Sequence, residues 1–282
     1  AVRRSVIDGV APPDMVLAAS FSTDNQAALE AMFSACAAEP ACQARHPALR
    51  DNWRALLAGL PREVSVAHPV TGELQKLRLT RELVLGMARG PLYVPVLASA
   101  LPQAIDAAAQ GRFEPLVGVA SAMGGGKRGR LHAGMHYSVV CAEDMPRLDR
   151  ASDAPGADFG TAFAEQYRRI CADWPRGPVP DAFYTLPLAP APVLVLSGGA
   201  DPVTPPRHGE RVTKALGAQA RHVVVPQAGH GVMAIGCVRD AIFRFIDAAD
   251  DAEAQKVDAS CAEKMPRPMA FRPVTAAGEG AK

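Results

Sequence analysis

The hydrophobic pattern divides the chain into stretches of different character. Residues 193–197 (VLVLS) and 222–225 (HVVV) are short, almost uninterrupted apolar runs, as strands covered on both faces are. Residues 208–216 and 238–248 have helical spacing instead, the second with Ile242, Phe243 and Ile246 expected on one buried face. Strand, helix, strand, helix in that order predicts a parallel sheet with helices on its faces, an α/β architecture. Residues 5–13 (SVIDGVAPP) form another short apolar run, stopped by Gly9 and a double proline, and predict one more buried strand. The long middle stretch reads differently. Leu29, Met32, Phe33 and Cys36 recur at helical spacing, Glu39-Pro40 breaks the pattern, and Trp53, Leu56, Leu57 and Leu60 make a second stripe. Residues 65–69 and 76–80 bracket Thr71-Gly72 and predict a small hairpin, after which Thr80 caps a helix. Further helices are expected over 98–111 and 158–173, while 137–141 (YSVVC) reads as strand-like. The divisions that follow are 1–19, a strand segment; 20–188, a mostly helical insertion; 189–265, the α/β portion; and 266–282, a flexible tail rich in Pro, Ala and Gly.

Both apolar strands of the α/β portion end on candidate chemistry. The first runs into SGGADPVTPP (197–206), which places Asp201 in a proline-rich turn; the second leads to His230 between Gly229 and Gly231. A carboxylate just beyond the carboxyl end of a parallel strand stands where such sheets carry their functional residues. An acid followed by a histidine one strand later is the layout of the last two members of a Ser-Asp-His triad in an α/β hydrolase. Imidazole is suited to act as a general base near neutral pH, with the carboxylate holding its tautomer and stabilising the imidazolium. His208 and His222 read as surface residues. No Gly-x-Ser-x-Gly occurs in the sequence, and Ser5, Ser121, Ser138 and Ser197, though close to strand-like or glycine-containing segments, do not sit in a strand–turn–helix that would expose a nucleophile. Glu143 and Asp144, adjacent acids beside Cys141, could bind the ammonium group of a peptide N-terminus, or form a capped or solvated pair. The glycine-rich stretch 124–129 (GGGKRG) lacks the spacing of a phosphate loop and reads as a plain loop.

Composition narrows the partners. Hydrophobic residues make up 49% and charged residues 21%, and Lys+Arg 30 against Asp+Glu 29 leaves +1, so no basic stripe points to nucleic acid or an acidic membrane surface. Longer apolar stretches, such as 90–102, are interrupted by prolines and too short to span a bilayer. Six cysteines without a Cys-x-x-Cys or a neighbouring histidine cluster argue against zinc, and neither metal nor cofactor is expected. Two readings stay open: reduced, buried thiols, or three disulfides in sequence order, Cys36–Cys42, Cys141–Cys171 and Cys237–Cys261. The second implies a secreted or periplasmic protein.

Several segments carry a family resemblance: 2–13 (VRRSVIDGVAPP), 36–42 (CAAEPAC), 140–144 (VCAED), 171–175 (CADWP), 196–206 (LSGGADPVTPP) and 225–231 (VPQAGHG). Together they make the chain resemble the secreted α/β-hydrolase peptidases of the tripeptidyl aminopeptidase and proline iminopeptidase type. The resemblance implies that 1–19 holds the sixth strand of the hydrolase core, that 20–188 is the helical cap or lid, and that 189–265 is the C-terminal core. The fold class implied is the C-terminal part of an α/β hydrolase, its last three parallel strands with flanking helices, plus a mostly helical cap. It further implies Asp201 as triad acid, His230 as base, and Glu143, then Asp144, as the cap acids that hold a substrate amine. The expected function is a serine hydrolase that releases short N-terminal peptides or residues. Its nucleophile and oxyanion donors would lie in an N-terminal half outside these 282 residues, leaving the chain inactive alone. A peptide-binding module without catalysis and an esterase or amidase of the same fold are the alternatives.

Overall fold

The structure is a computed structural model that describes residues 2–69, 71–124 and 132–271. Most of the glycine-rich stretch at 124–129, and the tail beyond 271, lie outside the described residues.

After β1 (Ser5–Asp8) comes a long helical excursion. It begins with α1 (Leu17–Ala38), α2 (Pro40–Arg45) and α3 (Leu49–Ala58). Pro40 ends α1 because its ring disfavours helical geometry at the preceding Glu39, while in the first turn of α2 its missing N–H costs nothing. A disulfide between Cys36 and Cys42 ties the two helices, Cα to Cα 5.1 Å. The expected hairpin is present as β2 (Arg62–Ala67) and β3 (Leu74–Leu79) in antiparallel register. Thr80 then caps α4 (Arg81–Leu92), its Oγ1 accepting the Leu83 N–H at 3.3 Å. The excursion continues through α5 (Pro95–Ala98), α6 (Leu101–Ala109), α7 (Glu114–Gly124), α8 (Ala133–Glu143) and α9 (Ala162–Ala172). Leu29, Phe33, Trp53, Leu56, Leu79, Leu101, Ile105 and Leu116 meet in one apolar core, so both predicted helical stripes face inward.

Residues 137–141 are helical, not strand-like: they lie in α8. Tyr137 and Cys141 stand one turn apart and meet Tyr167 and Cys171, also one turn apart on α9. The Cys141–Cys171 disulfide fixes that pairing. A run of five residues is too short for its spacing to separate strand from helix, and the partner helix decides.

The α/β portion comprises β4 (Val193–Gly198), α10 (Pro206–Leu216), β5 (Ala220–Val225), α11 (Val238–Asp247) and α12 (Asp251–Gln255). The sheet has the order β1-β4-β5 and is parallel throughout, with Ser5 opposite Val193 and Val193 opposite Ala220. Every residue of β4 is buried. Val193 and Val195 face Val212 of α10, and Leu194 and Leu196 face Val238 and Phe245 of α11, so the period-2 alternation fills two separate cores. In α11 the buried face is Val238, Ala241 and Phe245; Phe243 and Ile246, expected inside, are 56% and 44% exposed. Arg4 satisfies the open C-terminal end of α11, donating to the carbonyls of Phe245, Ile246 and Ala248. A third disulfide, Cys237–Cys261, anchors the segment after α12. On its other side β1 has no strand partner among the described residues. No helix among them is long and apolar enough to cross a membrane.

Candidate active site

Asp201 and His230 meet at the carboxyl end of the parallel sheet. Asp201 Oδ2 lies 2.8 Å from His230 Nδ1. The turn after β4 wraps the carboxylate completely: Oδ1 accepts the N–H groups of Val203 at 2.8 Å and Thr204 at 3.0 Å. Thr204 Oγ1 donates to Oδ2 at 2.9 Å and also lies 3.1 Å from His230 Nδ1. Asp201 is 1% exposed, whereas the His230 side chain is 37% exposed. A buried acid carrying a half-open imidazole is the polarity a general base requires. Burial pushes the Asp201 carboxyl up, but the hydrogen bonds from His230, Thr204 and Val203 outweigh it and hold the group below the usual carboxylate range. The same hydrogen bond, donated to Asp201, raises the His230 imidazole against the opposing effect of burial, with the Asp201 and Asp8 charges adding to it. Nε2 of His230 has no hydrogen-bond partner among the described residues.

Residues with no assigned role in the sequence reading complete the support of His230. Asp8, at the end of β1, accepts the Val232 N–H at 2.7 Å and the Met233 N–H at 2.8 Å, which pins the loop just after the histidine. Gly9 follows at φ 63°, and a β-carbon there would stand 3.0 Å from Cε1 of the imidazole. Tyr93, just past α4, accepts the His230 N–H on its carbonyl at 3.0 Å and places its ring edge-on to the imidazole, centroids 5.6 Å apart. Of the flanking glycines, Gly231 adopts φ 83°, while Gly229 is needed for space, because a β-carbon would collide with the Tyr93 carbonyl. The signal for Asp8 was present in the sequence: an acid at the end of an apolar run, as Asp201 is just beyond one. Tyr93 left none.

The serines lie elsewhere. Ser197 is fully buried and bonded to His222 Nε2 at 2.9 Å; Ser138 accepts from Trp174 at 3.2 Å. Ser5 lies in β1 and Ser121 in α7. Thr204 is 3% exposed and faces Nδ1, the nitrogen already engaged by Asp201, so it orients the pair and does not attack. His208 and His222 are not surface residues. His208 is 1% exposed, with Nε2 2.8 Å from Asp24 of α1, and burial lowers the His222 pKa. Asp24 also accepts from Arg207 at 2.7 Å, so the helical excursion is latched to α10 by a buried ionic group.

Glu143 and Asp144 end α8 in unlike surroundings. Asp144 Oδ2 accepts the Leu17 N–H at 3.0 Å, filling the open N-terminal end of α1, and Oδ1 lies 4.0 Å from Arg147. Burial, opposed by those two partners and helped by the Glu143 charge, pushes Asp144 up to about 6. The Glu143 main-chain carbonyl accepts from Tyr184 and Arg147, and its carboxylate has no partner among the described residues. No cluster of His, Cys, Asp and Glu that could hold a metal occurs among those residues.

No curated protein matches the chain. Residues 155–261, which carry both Asp201 and His230, match the family model described as TAP-like protein, of the α/β-hydrolase type; with the parallel sheet and its flanking helices, that match supports an α/β hydrolase.

Proposed function

We propose that the chain carries the acid and base of a serine hydrolase that cleaves peptide bonds near a free N-terminus, and that the attacking serine comes from polypeptide outside these 282 residues. The observation that supports this most directly is the 2.8 Å Asp201–His230 contact, with Nε2 unpartnered among the described residues on a side chain that is 37% exposed. In the reaction, the serine Oγ attacks the scissile carbonyl carbon as Nε2 removes its proton. The resulting imidazolium is held by Asp201, and its proton passes to the leaving amine as the C–N bond breaks. Water then attacks the acyl-enzyme, Nε2 again taking the proton, and the serine is released. The side of β1 that has no strand partner among the described residues favours the same reading, since an open edge in a parallel sheet is where further strands add. Glu143, whose carboxylate is unengaged among the described residues, is the better candidate for the substrate ammonium; Asp144 is already committed to Leu17 and Arg147. The three disulfides favour a secreted or periplasmic setting.

The test is turnover of a tripeptide p-nitroanilide by the chain alone and by the chain joined to the polypeptide encoded immediately upstream. Activity confined to the joined form is expected, lost by about 10⁴-fold or more in His230→Ala. Glu143→Gln should raise KM for the free N-terminal substrate and leave its N-acetylated form unaffected. Turnover that survives His230→Ala, or an upstream sequence without a Gly-x-Ser-x-Gly, would sink the proposal. An isolated chain that binds peptide without turnover in either form would favour the binding-module reading.

A further inference from the structure

Arg89 projects from α4 onto Tyr93, the residue whose ring packs edge-on to His230, and has no acidic partner among the described residues. Its guanidinium lies 4.6 Å over the Phe21 ring and 5.1 Å over the Tyr93 ring, and Nη2 donates to the Tyr93 hydroxyl. Its Nε is buried without a hydrogen-bond partner. Neighbouring arginines behave otherwise: Arg81 faces Asp158 at 3.9 Å, Arg147 faces Asp144 at 4.0 Å, and Arg207 faces Asp24 at 2.7 Å. Holding a half-buried cation against two aromatic faces gives some stabilisation, but it leaves the charge uncompensated.

The same arginine lines a cavity of about 500 Å³ together with Phe21, Leu85, Phe163 and Arg81. That volume falls within the range of roughly 300–1,000 Å³ usual for small-ligand sites. Phe21 and Phe163 stack with centroids 3.5 Å apart, making one apolar wall. Glu82 and Glu165 also border the cavity, but both are exposed, where water screens them, and Glu165 accepts from Thr161. Asp158 is engaged by Gln26 and Trp53 as well as by Arg81. Of the two arginines facing this space Arg89 is the one without an acidic partner among the described residues, and it is one residue from the dyad, because Tyr93 touches both Arg89 and His230.

We propose that this cavity is a carboxylate subsite, which takes an aromatic or large apolar side chain together with the adjacent C-terminal carboxylate of a short peptide, with Arg89 as the counter-charge. The proposal deepens the peptidase reading and rests on it for the identity of the ligand as a peptide. It implies that substrates are short enough for the far end to reach Arg89 while the scissile bond lies at His230. Guanidinium presents a fork of donors matched to a carboxylate, so the preference for a charged end should be substantial.

Calorimetric binding to the full chain tests it with three probes: Ala-Ala-Phe, its C-terminal amide, and Ala-Ala-Glu amide. The expected result is that the free acid binds about tenfold or more tightly than its amide. That preference should collapse in Arg89→Gln and survive in part in Arg89→Lys. Comparable binding of Ala-Ala-Glu amide and Ala-Ala-Phe would assign the site to an acidic side chain and overturn the C-terminal assignment. Equal binding of acid and amide, no binding of either, or a preference that persists in Arg89→Gln overturns the subsite. The acid-to-amide comparison in the unaltered chain does not depend on any variant folding. Because binding is read without turnover, an acid preference in a chain whose form joined to the upstream polypeptide never hydrolyses would sink the hydrolase reading alone, and hydrolysis by the joined form without that preference would sink the subsite alone.

Discussion

Gly9 links backbone geometry to the chemistry of one imidazole. At φ 63° any side chain is strained, and a β-carbon would also press on Cε1 and Nδ1 of His230, 3.0 and 3.2 Å away. Gly9→Ala should cost about 1–2 kcal/mol from the left-handed backbone alone. It should also push the ring off Asp201, so that the His230 titration midpoint falls toward its ordinary value. Thermal melting and an imidazole NMR titration read the two effects, and an alanine variant that changes neither would contradict this placement. Asp201 and His230 were legible because each follows an apolar run by a few residues, so local pattern alone located them. Thr204 lay in the same turn and was legible in principle as a hydroxyl three residues after an Asp. Tyr93 and Arg89 were not, because Tyr93 reaches His230 from the end of a helix far away in the chain and Arg89 connects to it only through Tyr93. His208 and His222 were misread for the same reason, since their burial depends on Asp24 and Ser197 in other elements.

At the scale of elements, α1 depends on an acid borrowed from α8. Asp144 closes the N-terminal end of α1 through Leu17, yet burial holds its carboxyl up at about 6, above the ordinary 3.8. The folded state therefore binds that proton more tightly than the unfolded chain does. This contribution to stability is complete below about 3.8 and is lost as pH rises through about 6. Asp144→Asn keeps an acceptor for Leu17 and removes the charge, so its melting temperature relative to the unaltered protein should climb between pH 4 and pH 6 and then level off. A difference that stays constant across that range would contradict the account. The helical stripes of α1 and α3 were legible because their apolar residues occupy one side. In α11 apolar residues occupy several sides, and the choice of Val238, Ala241 and Phe245 over Phe243 and Ile246 is made by the sheet beneath. In α8 the run was short, and α9 decided its conformation.

The whole molecule is what assembles the dyad. Asp8 and Gly9 come from β1, Asp201 and Thr204 from the turn after β4, His230 from the loop after β5, and Tyr93 from the helical excursion. Order in the three-stranded sheet brings the first three together, and the Asp24 latch between α1 and α10 holds the excursion against it. Disulfides stiffen the parts: Cys141–Cys171, at a sequence separation of 30, fixes α8 to α9 and should contribute about 3–4 kcal/mol by restricting the unfolded chain. The α/β class and the parallel sheet were visible in the alternation of runs, but the latch was not, since it joins residues separated by 184 positions. The measurement that bears most directly on the central claim is an NMR titration of the His230 imidazole in the full chain, with and without Asp201→Asn. The account predicts a midpoint above the ordinary imidazole value that drops when the carboxylate is removed. A midpoint at or below that value, unmoved by Asp201→Asn, would contradict it.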